Sequence, residues 1–303
     1  MINYLIEENF KECENIEGYT KSTVSVISEK EFKQKVAFGE LSKNEVLNYK
    51  NAKCCRLIVT KQTLLGSFSI ISKDKKMERN NFSFIVSNNN VTFIDNGNTV
   101  ISIIKKVIKN KIRGSIKIGR FLYEFLETII LSDLRYIEEL SDRLIKIESA
   151  VSRGITDDFN RLMSAFSKET MLFYRYYTQL ADVGDELQEN ENNFFSEEDV
   201  HFFEKFTHRA DKLREELLFL RESSDHVRDI YSGQIDTKMN KIMKVLTIVT
   251  TIFTPISIST SWFGMSFPQV AEQEWPYAYF VFILGNILAM LGCFWYLKKK
   301  KFL

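Results

Sequence analysis

The sequence predicts an α+β membrane protein with an N-terminal α/β domain in the cytosol, a long helical stalk and two C-terminal transmembrane helices. Three observations predict this order. Short β-branched and aromatic runs fall in the first hundred or so residues, apolar residues then recur at steps of three and four as far as residue 240, and two uncharged apolar runs follow. We place the domains at residues 1–115, 116–243 and 244–303.

The first domain is predicted from four short runs that suit a small sheet. Helical segments near residues 29–36 and 100–109 are expected to cover that sheet. The runs are CCRLIVT (54–60), LGSFSIIS (65–72), FSFIVS (82–87) and VTFIDN (91–96), and the letters NNN between the last two predict a turn.

Charge and residue usage exclude several classes of function. The chain has 41 basic and 40 acidic side chains, so no overall positive field indicates nucleic-acid binding. Its three histidines and four cysteines lack the spacings of a zinc site or a disulfide framework. Because the sequence also lacks a Gly-rich phosphate loop and an HExxH motif, we expect neither an enzyme nor a resident cofactor.

The middle of the chain is predicted to be helical, with a break at Gly154. Ser196, followed by two glutamates, is typical of a helix N-cap. All three prolines lie in the membrane part, so the helix that begins after Ser196 is expected to run into the bilayer. Its coiled-coil seam consists of Phe203, Phe206, Ala210, Leu213, Leu217, Leu220, Ser224, Val227 and Tyr231.

Two apolar runs near the C-terminus are long enough to cross a bilayer. We place the first span at about 244–263, the outer loop at 264–276 and the second span at 277–297. Lysines 238, 241 and 244 precede the first span and lysines 298–301 follow the second, whereas the loop contains Glu272 and Glu274 and no Lys or Arg. This asymmetry predicts a multi-pass protein of the cell (plasma or inner) membrane with both termini in the cytosol.

One face of the first span is polar along nearly its whole length. Hydroxyls in a membrane helix serve either close helix packing or a wet pore wall, and the spacing leaves both open. In a pore built from several copies, rings of oxygen would suit a hydrated divalent cation. The spacing places on this face Asn240, Met243, Thr247, Thr250, Thr254, Ser257 and Ser261.

The segment MNKIMKVLTIVTTIFTPISISTSWFGMSF (239–267), with the loop, second span and lysine cluster that follow it, resembles the CorA family of divalent-cation transporters. Phe263, Gly264, Met265 and Phe267 match four of the five positions of the family's aromatic-Gly-Met-Asn-Phe motif. The resemblance covers most of the chain. It implies a CorA-like funnel, a homopentamer whose partners are copies of itself, the lipid bilayer and divalent cations.

The resemblance also implies roles for individual residues. Asn240 and Met243 would form rings at the cytosolic mouth, and Leu246 would form a hydrophobic constriction where the spacing alone selects Thr247. The pore-lining set is then Asn240, Met243, Leu246, Thr250, Thr254, Ser257 and Ser261, and the outer-mouth selectivity motif is Gly264, Met265 and Ser266.

The chain departs from the family at three places. Ser266 stands where the family has asparagine, and Glu272 and Glu274 are a looser acidic equivalent of the usual outer-loop motif. On the stalk, FEKFTHR carries Lys205 and His208 where the family shows acids. The location of a regulatory metal site is therefore unknown.

Three hypotheses follow. The first is a homopentameric channel that carries Mg²⁺, with Co²⁺ and Ni²⁺ as further candidates. The second is a ZntB-like zinc transporter, which proton-coupled flux would distinguish. The third is a non-conducting, membrane-anchored cytosolic binding or scaffold protein, which Ser266 keeps open and the continuous polar face argues against.

Overall fold

The computed structural model describes residues 2–5, 11–13, 22–34, 53–73, 77–87, 90–109, 117–155, 157–264 and 277–300. The chain divides into two compact units. One comprises Met1–Ala150 and Asp157–Val227, and the other comprises Val151–Thr156 and Arg228–Leu303. The predicted domain limits at residues 115 and 243 stay predictions.

The described residues of the first unit contain one mixed sheet of seven strands, in the order β2-β1-β3-β7-β6-β5-β4. Neighbouring strands are antiparallel except β3 and β7, which run parallel. The strands are β1 (Ile2–Leu5), β2 (Lys11–Cys13), β3 (Thr23–Ile27), β4 (Arg56–Val59), β5 (Leu64–Ile71), β6 (Arg79–Ser87) and β7 (Asn90–Ile94).

The four predicted strands are confirmed as β4 to β7, and β1 to β3 extend the sheet beyond them. Of the predicted NNN turn, residues 88 and 89 lie outside the described residues. The two predicted helices are present as α1 (Glu29–Gln34) and α2 (Thr99–Lys109). Asp95 caps the start of α2, because its carboxylate accepts hydrogen bonds from the backbone N–H groups of Gly97 (2.6 Å) and Val100 (2.8 Å).

A phenylalanine cluster fills one face of the sheet. The rings of Phe93 in β7 and Phe125 in the helix Ile118–Ile130 lie 4.8 Å apart, and Phe68 stacks on Phe82 at 5.5 Å. Gly66 in β5 makes room for this cluster, because a Cβ there would lie 2.3 Å from the ring of its cross-strand partner Phe84. The opposite face buries a second cluster, which consists of Ile27, Phe32, Leu65, Ile85 and Ile94. The central strands are therefore covered on both sides.

Within the described residues, five longer helices follow the sheet. The predicted break at Gly154 is confirmed, since α4 ends at Ser152 and Gly154 has a φ of 80°. The helices are α3 (Ile118–Ile130), α4 (Asp133–Ser152), α5 (Phe159–Glu189), α6 (Glu197–Gly264) and α7 (Ala278–Lys299).

Helix α6 begins where the sequence predicts it. The hydroxyl of Ser196 accepts a hydrogen bond from the Asp199 N–H (3.4 Å), and the Ser196 N–H donates to the Asp199 carboxylate (3.1 Å). Every residue of the predicted seam from Phe203 to Val227 is buried, and Tyr231 is half-buried. The helix is continuous for 68 residues, about 100 Å at 1.5 Å per residue.

Two buried carboxylates tie these elements together. Asp133 at the start of α4 forms an ion pair with Lys73 and accepts a hydrogen bond from the Tyr177 hydroxyl (2.8 Å). Glu127 of α3 forms an ion pair with Arg209 of α6. Burial raises the pKa of both carboxyls, and the neighbouring cation opposes this in each case.

Candidate ion pathway

Two of the described helices are long and apolar enough to cross a membrane, by length and composition. One is the C-terminal part of α6, within Glu197–Trp262, and the other is the segment Phe280–Lys299 of α7. Both lie in the second unit. Two C-terminal apolar helices are therefore present, as the sequence predicts, and the bounds of the spans at 244–263 and 277–297 stay predictions.

One stripe on each span is shielded by the rest of the unit. On α6 the half-buried residues include Ile248, Ile252 and Ser259, which recur at helical spacing. On α7 the corresponding stripe is Phe282, Asn286, Cys293 and Leu297, of which Leu297 is buried and the others are half-buried. The stripes meet at a hydrogen bond between the Ser259 hydroxyl and the Asn286 side-chain carbonyl.

The spacing along the two stripes fits antiparallel packing of the spans. Ile248 lies eleven residues before Ser259, and Leu297 lies eleven residues after Asn286. Helices that run in opposite directions bring residues so related to the same level. The shielded stripe of α6 is therefore its face toward α7.

Six of the seven predicted pore-lining residues lie on the opposite face of α6, and Asn240 lies about 100° around the helix from Ser259. At about 100° per residue, Thr250, Thr254 and Ser257 fall more than about 120° around the helix from Ser259. Met243 and Leu246 are 52% and 54% exposed. All seven members of the set are exposed in the single chain: Asn240, Met243, Leu246, Thr250, Thr254, Ser257 and Ser261. Thr247 is also exposed, so exposure does not choose between it and Leu246.

The threonines of this face direct their hydroxyl protons at their own helix. Thr250 Oγ1 donates to the Leu246 carbonyl (2.9 Å), and Thr254 Oγ1 donates to the Thr250 carbonyl (2.6 Å). Thr247 makes the same bond to Met243 at 2.7 Å. A hydroxyl whose proton is used in this way presents only oxygen lone pairs to its surroundings. At these three threonines the face therefore presents hydrogen-bond acceptors, which suit a cation or the water that surrounds it.

Pro255 interrupts the backbone bonding of α6 without ending the helix. Because proline has no N–H, the carbonyl of Thr251 loses its usual partner one turn earlier. Pro255 and Thr251 are both half-buried, on the side of the helix that faces α7. The weak point thus lies beside the contact between the spans, away from the exposed hydroxyls.

Of the residues predicted to form the outer mouth, only Gly264 lies among the described residues. Gly264 is the last residue of α6 and is exposed. The remaining predicted residues of the mouth and loop, Met265, Ser266, Glu272 and Glu274, lie outside the described residues.

The stalk segment FEKFTHR presents cations where a metal ion would need oxygen ligands. Lys205 Nζ lies 5.3 Å from the centroid of the Phe202 ring, and the Arg120 guanidinium lies 4.0 Å from the same ring. His208 is exposed, and His201 contacts Glu204 at 3.0 Å on the helix surface. Across the described ranges, no group of three or more His, Cys, Asp or Glu side chains could hold a metal ion.

Asn286 is a residue of this region that the sequence analysis did not single out. It is the only residue among 278–297 with an amide or charged side chain. An amide is costly in hydrocarbon unless it is hydrogen-bonded, so its position in an apolar span was itself a visible signal.

Comparisons with known proteins identify the family of this chain and two curated relatives. A family model described as "CorA-like Mg2+ transporter protein" matches residues 28–299. The cobalt/magnesium transport protein CorA of Thermotoga maritima is 24% identical over 196 residues, which are 63% of this chain and 55% of that protein. The zinc transport protein ZntB of Photorhabdus laumondii is 23% identical over 190 residues, 63% of this chain and 58% of the relative. Each alignment thus spans little more than half of the curated relative.

A solved structure agrees with the fold over nearly the full length. The complete structure of the CorA magnesium transporter from Methanocaldococcus jannaschii matches with a TM-score of 0.81 at 20% identity, covering 98% of this chain and 96% of that chain. The family match covers far more than half of the chain and includes both spans. The protein described here belongs to the CorA-like Mg²⁺ transporter family.

Proposed function

We propose that this protein is a membrane transporter for divalent cations, and that it acts as a homopentameric channel selective first for Mg²⁺, with Co²⁺ and Ni²⁺ as further candidates. The observation that carries the proposal is the exposed acceptor face of α6, which lies opposite the side that packs on α7. The protein is accordingly a transporter and not an enzyme.

The chemistry of this face fits a hydrated Mg²⁺ ion. Mg²⁺ prefers oxygen ligands and gives up its waters reluctantly, so a wall that accepts hydrogen bonds from those waters can pass the ion without dehydrating it. The hydroxyls of Thr250 and Thr254 have committed their own protons to the backbone, so they can accept from water. Anions would meet only lone pairs at these two threonines.

A single chain cannot enclose such a path, which requires several copies around an axis. The two spans of one chain leave the whole acceptor face exposed. Exposed hydroxyls in hydrocarbon are unfavourable, whereas a ring of first spans would enclose them around water. The number five follows from the likeness to the CorA family.

The membrane potential suffices as the driving force. Moving two charges across 100 mV corresponds to about 4.6 kcal/mol, at about 2.3 kcal/mol per charge. With both termini in the cytosol, as the lysines at 238, 241, 244 and 298–301 favour, an inside-negative potential drives entry. The protein would reside in the plasma or inner membrane.

A zinc transporter is the second candidate, supported by the relative named as a zinc transport protein. Ser266 replaces the asparagine of the family motif, and the serine side chain places its oxygen closer to the backbone. This difference would alter which ion the outer mouth prefers. A non-conducting scaffold is the third candidate. A non-conducting scaffold would not explain why α6 carries an exposed row of hydroxyls within a membrane span.

The test is ion uptake by the purified protein in liposomes, with Mg²⁺, Co²⁺ and Zn²⁺ each supplied with and without a pH gradient. We expect uptake of Mg²⁺ that follows the potential and ignores the pH gradient. A Ser266→Asn variant is compared in parallel and should keep this flux. Zn²⁺ uptake that follows the proton gradient would favour the second candidate. No ion uptake by the parent protein, together with uptake by the Ser266→Asn variant, would favour the third.

A further inference from the structure

The contact between Ser259 and Asn286 joins the two spans by a hydrogen bond between their side chains. Ser259 Oγ donates to Asn286 Oδ1, while Asn286 Nδ2 donates to the Phe282 carbonyl of its own helix (2.9 Å). The second bond fixes the orientation of the amide, because a reversed amide would place two carbonyl oxygens together. Asn286 thus presents an acceptor to α6 at one defined point.

The location of this bond matters because of Pro255. The Thr251 carbonyl has lost its helical partner, so α6 is less resistant to bending and twisting there than elsewhere. Ser259 is one turn beyond Pro255, and its hydroxyl also lies 3.0 Å from the Pro255 carbonyl. The segment after the weak point is therefore held by an interhelical bond.

The direction of the bond defines the rotation of α6 about its own axis. Ser257 and Ser261 are each two residues from Ser259, which places them about 160° around the helix from it. Ser257 and Ser261 are exposed, whereas Ser259 is half-buried. When Ser259 is held against α7, both neighbouring hydroxyls face directly away.

We propose that Asn286 is a positioning residue for transport, which acts through Ser259 to hold the acceptor face of α6 toward the ion path. The inference rests on the proposed function, because it assumes that this face lines the path. Asn286 itself does not contact the ion. Its loss would let the segment after Pro255 rotate, and that would turn Ser257 and Ser261 away from the path.

The experiment measures rotation and flux separately in the full-length protein. Cysteine is introduced at Ser257 on the acceptor face or at Ile256 on the packed face, and its reaction with a membrane-impermeant methanethiosulfonate is followed by mass spectrometry of that peptide. Mg²⁺ uptake into liposomes is measured in the same backgrounds without the introduced cysteine. The variants are Asn286→Leu and Ser259→Ala, and the controls are Ser259→Thr, which keeps the hydroxyl, and Ile287→Leu.

With Asn286 present, the cysteine at position 257 should react faster than the one at 256. Loss of one interhelical hydrogen bond should reduce this ratio, and the Mg²⁺ flux, by about three- to fifteen-fold in Asn286→Leu and Ser259→Ala. Both controls should retain the parent values. If Asn286→Leu does not reach the membrane, Ser259→Ala decides alone, because it removes only one oxygen atom.

An unchanged ratio of reaction rates in Asn286→Leu and Ser259→Ala would overturn the positioning role, even if the parent protein conducts. The converse result is distinguishable. If the parent carries no Mg²⁺ and the ratio still collapses in both variants, the bond fixes the rotation of α6 and it is the proposed function that fails.

Discussion

Replacing a single hydroxyl on each face of α6 tests which face lines the ion path. Thr254 is exposed on the acceptor face, and Thr251 is half-buried toward α7, three residues away in the same span. Thr254→Val and Thr251→Val make the same chemical change, since valine keeps the branched shape and removes the hydroxyl. Any difference between them therefore reports the position of the hydroxyl and not the substitution.

The expected loss at Thr254 follows from the hydrogen bonds removed. If the water shell of the ion contacts two hydroxyls of the ring at once, two bonds of about 1 kcal/mol each are lost. A loss of about 2 kcal/mol from the transition state corresponds to a roughly thirty-fold lower rate. Thr251→Val removes no oxygen from the path and should change the rate by less than about threefold.

The assay is the initial rate of Mg²⁺ uptake into liposomes, with the size of the oligomer measured by gel filtration for each variant. A second pair of variants tests the same two faces by placing a leucine on each. Thr254→Leu should reduce flux without dispersing the oligomer, and Ile252→Leu should leave flux nearly unchanged. Equal losses in the two members of either pair would refute the assignment of faces.

Three further predictions concern the stability of the cytosolic region, measured as the free energy of unfolding of the detergent-solubilised protein in denaturant. Tyr177→Phe should cost about 1–3 kcal/mol, because it leaves a buried oxygen of Asp133 without its donor; no measurable change would contradict this role. Gly66→Ala should cost about 1–3 kcal/mol, since the added methyl group meets an aromatic ring of β6; a stabilised variant would show that the ring moves freely. Arg209→Met should raise the pKa of Glu127 further, because it removes the cation that opposes the effect of burial. The variant should therefore be destabilised least at acidic pH and should lose stability as the pH rises through that pKa. A loss of stability that is independent of pH would mean that the ion pair is not the cause.

Much of the fold could be predicted because its signals are local. The spans are recognisable from uncharged length, the seam of α6 from steps of three and four, and its start from Ser196. Strands β4 to β7 are also evident as β-branched and aromatic runs. In contrast, β1 to β3 were missed. In β3, TVSVI, polar and apolar residues alternate as in a half-exposed strand, yet all five are buried, because β3 lies between β1 and β7 where both faces of the sheet are covered.

The candidate site was predictable in its periodicity and not in its contacts. Spacing alone places Thr250, Thr254 and Ser257 on one face, and the structure shows that this face is opposite to α7. Spacing could not show that the threonine protons are bonded to the backbone, nor that Ser259 meets Asn286 on another helix. Those facts depend on the rotation of each helix, which packing determines.

The most direct test of transport is whether the purified protein accumulates Mg²⁺ in liposomes against a concentration gradient when only an inside-negative potential of 100 mV is imposed. At about 2.3 kcal/mol per charge, the potential can sustain an internal concentration up to roughly two thousand times the external one. The proposed channel predicts uptake that continues past equal concentrations and stops when the potential is collapsed. Uptake that stops at equal concentrations while the potential persists, or no uptake at all, would contradict the proposal that this chain conducts Mg²⁺.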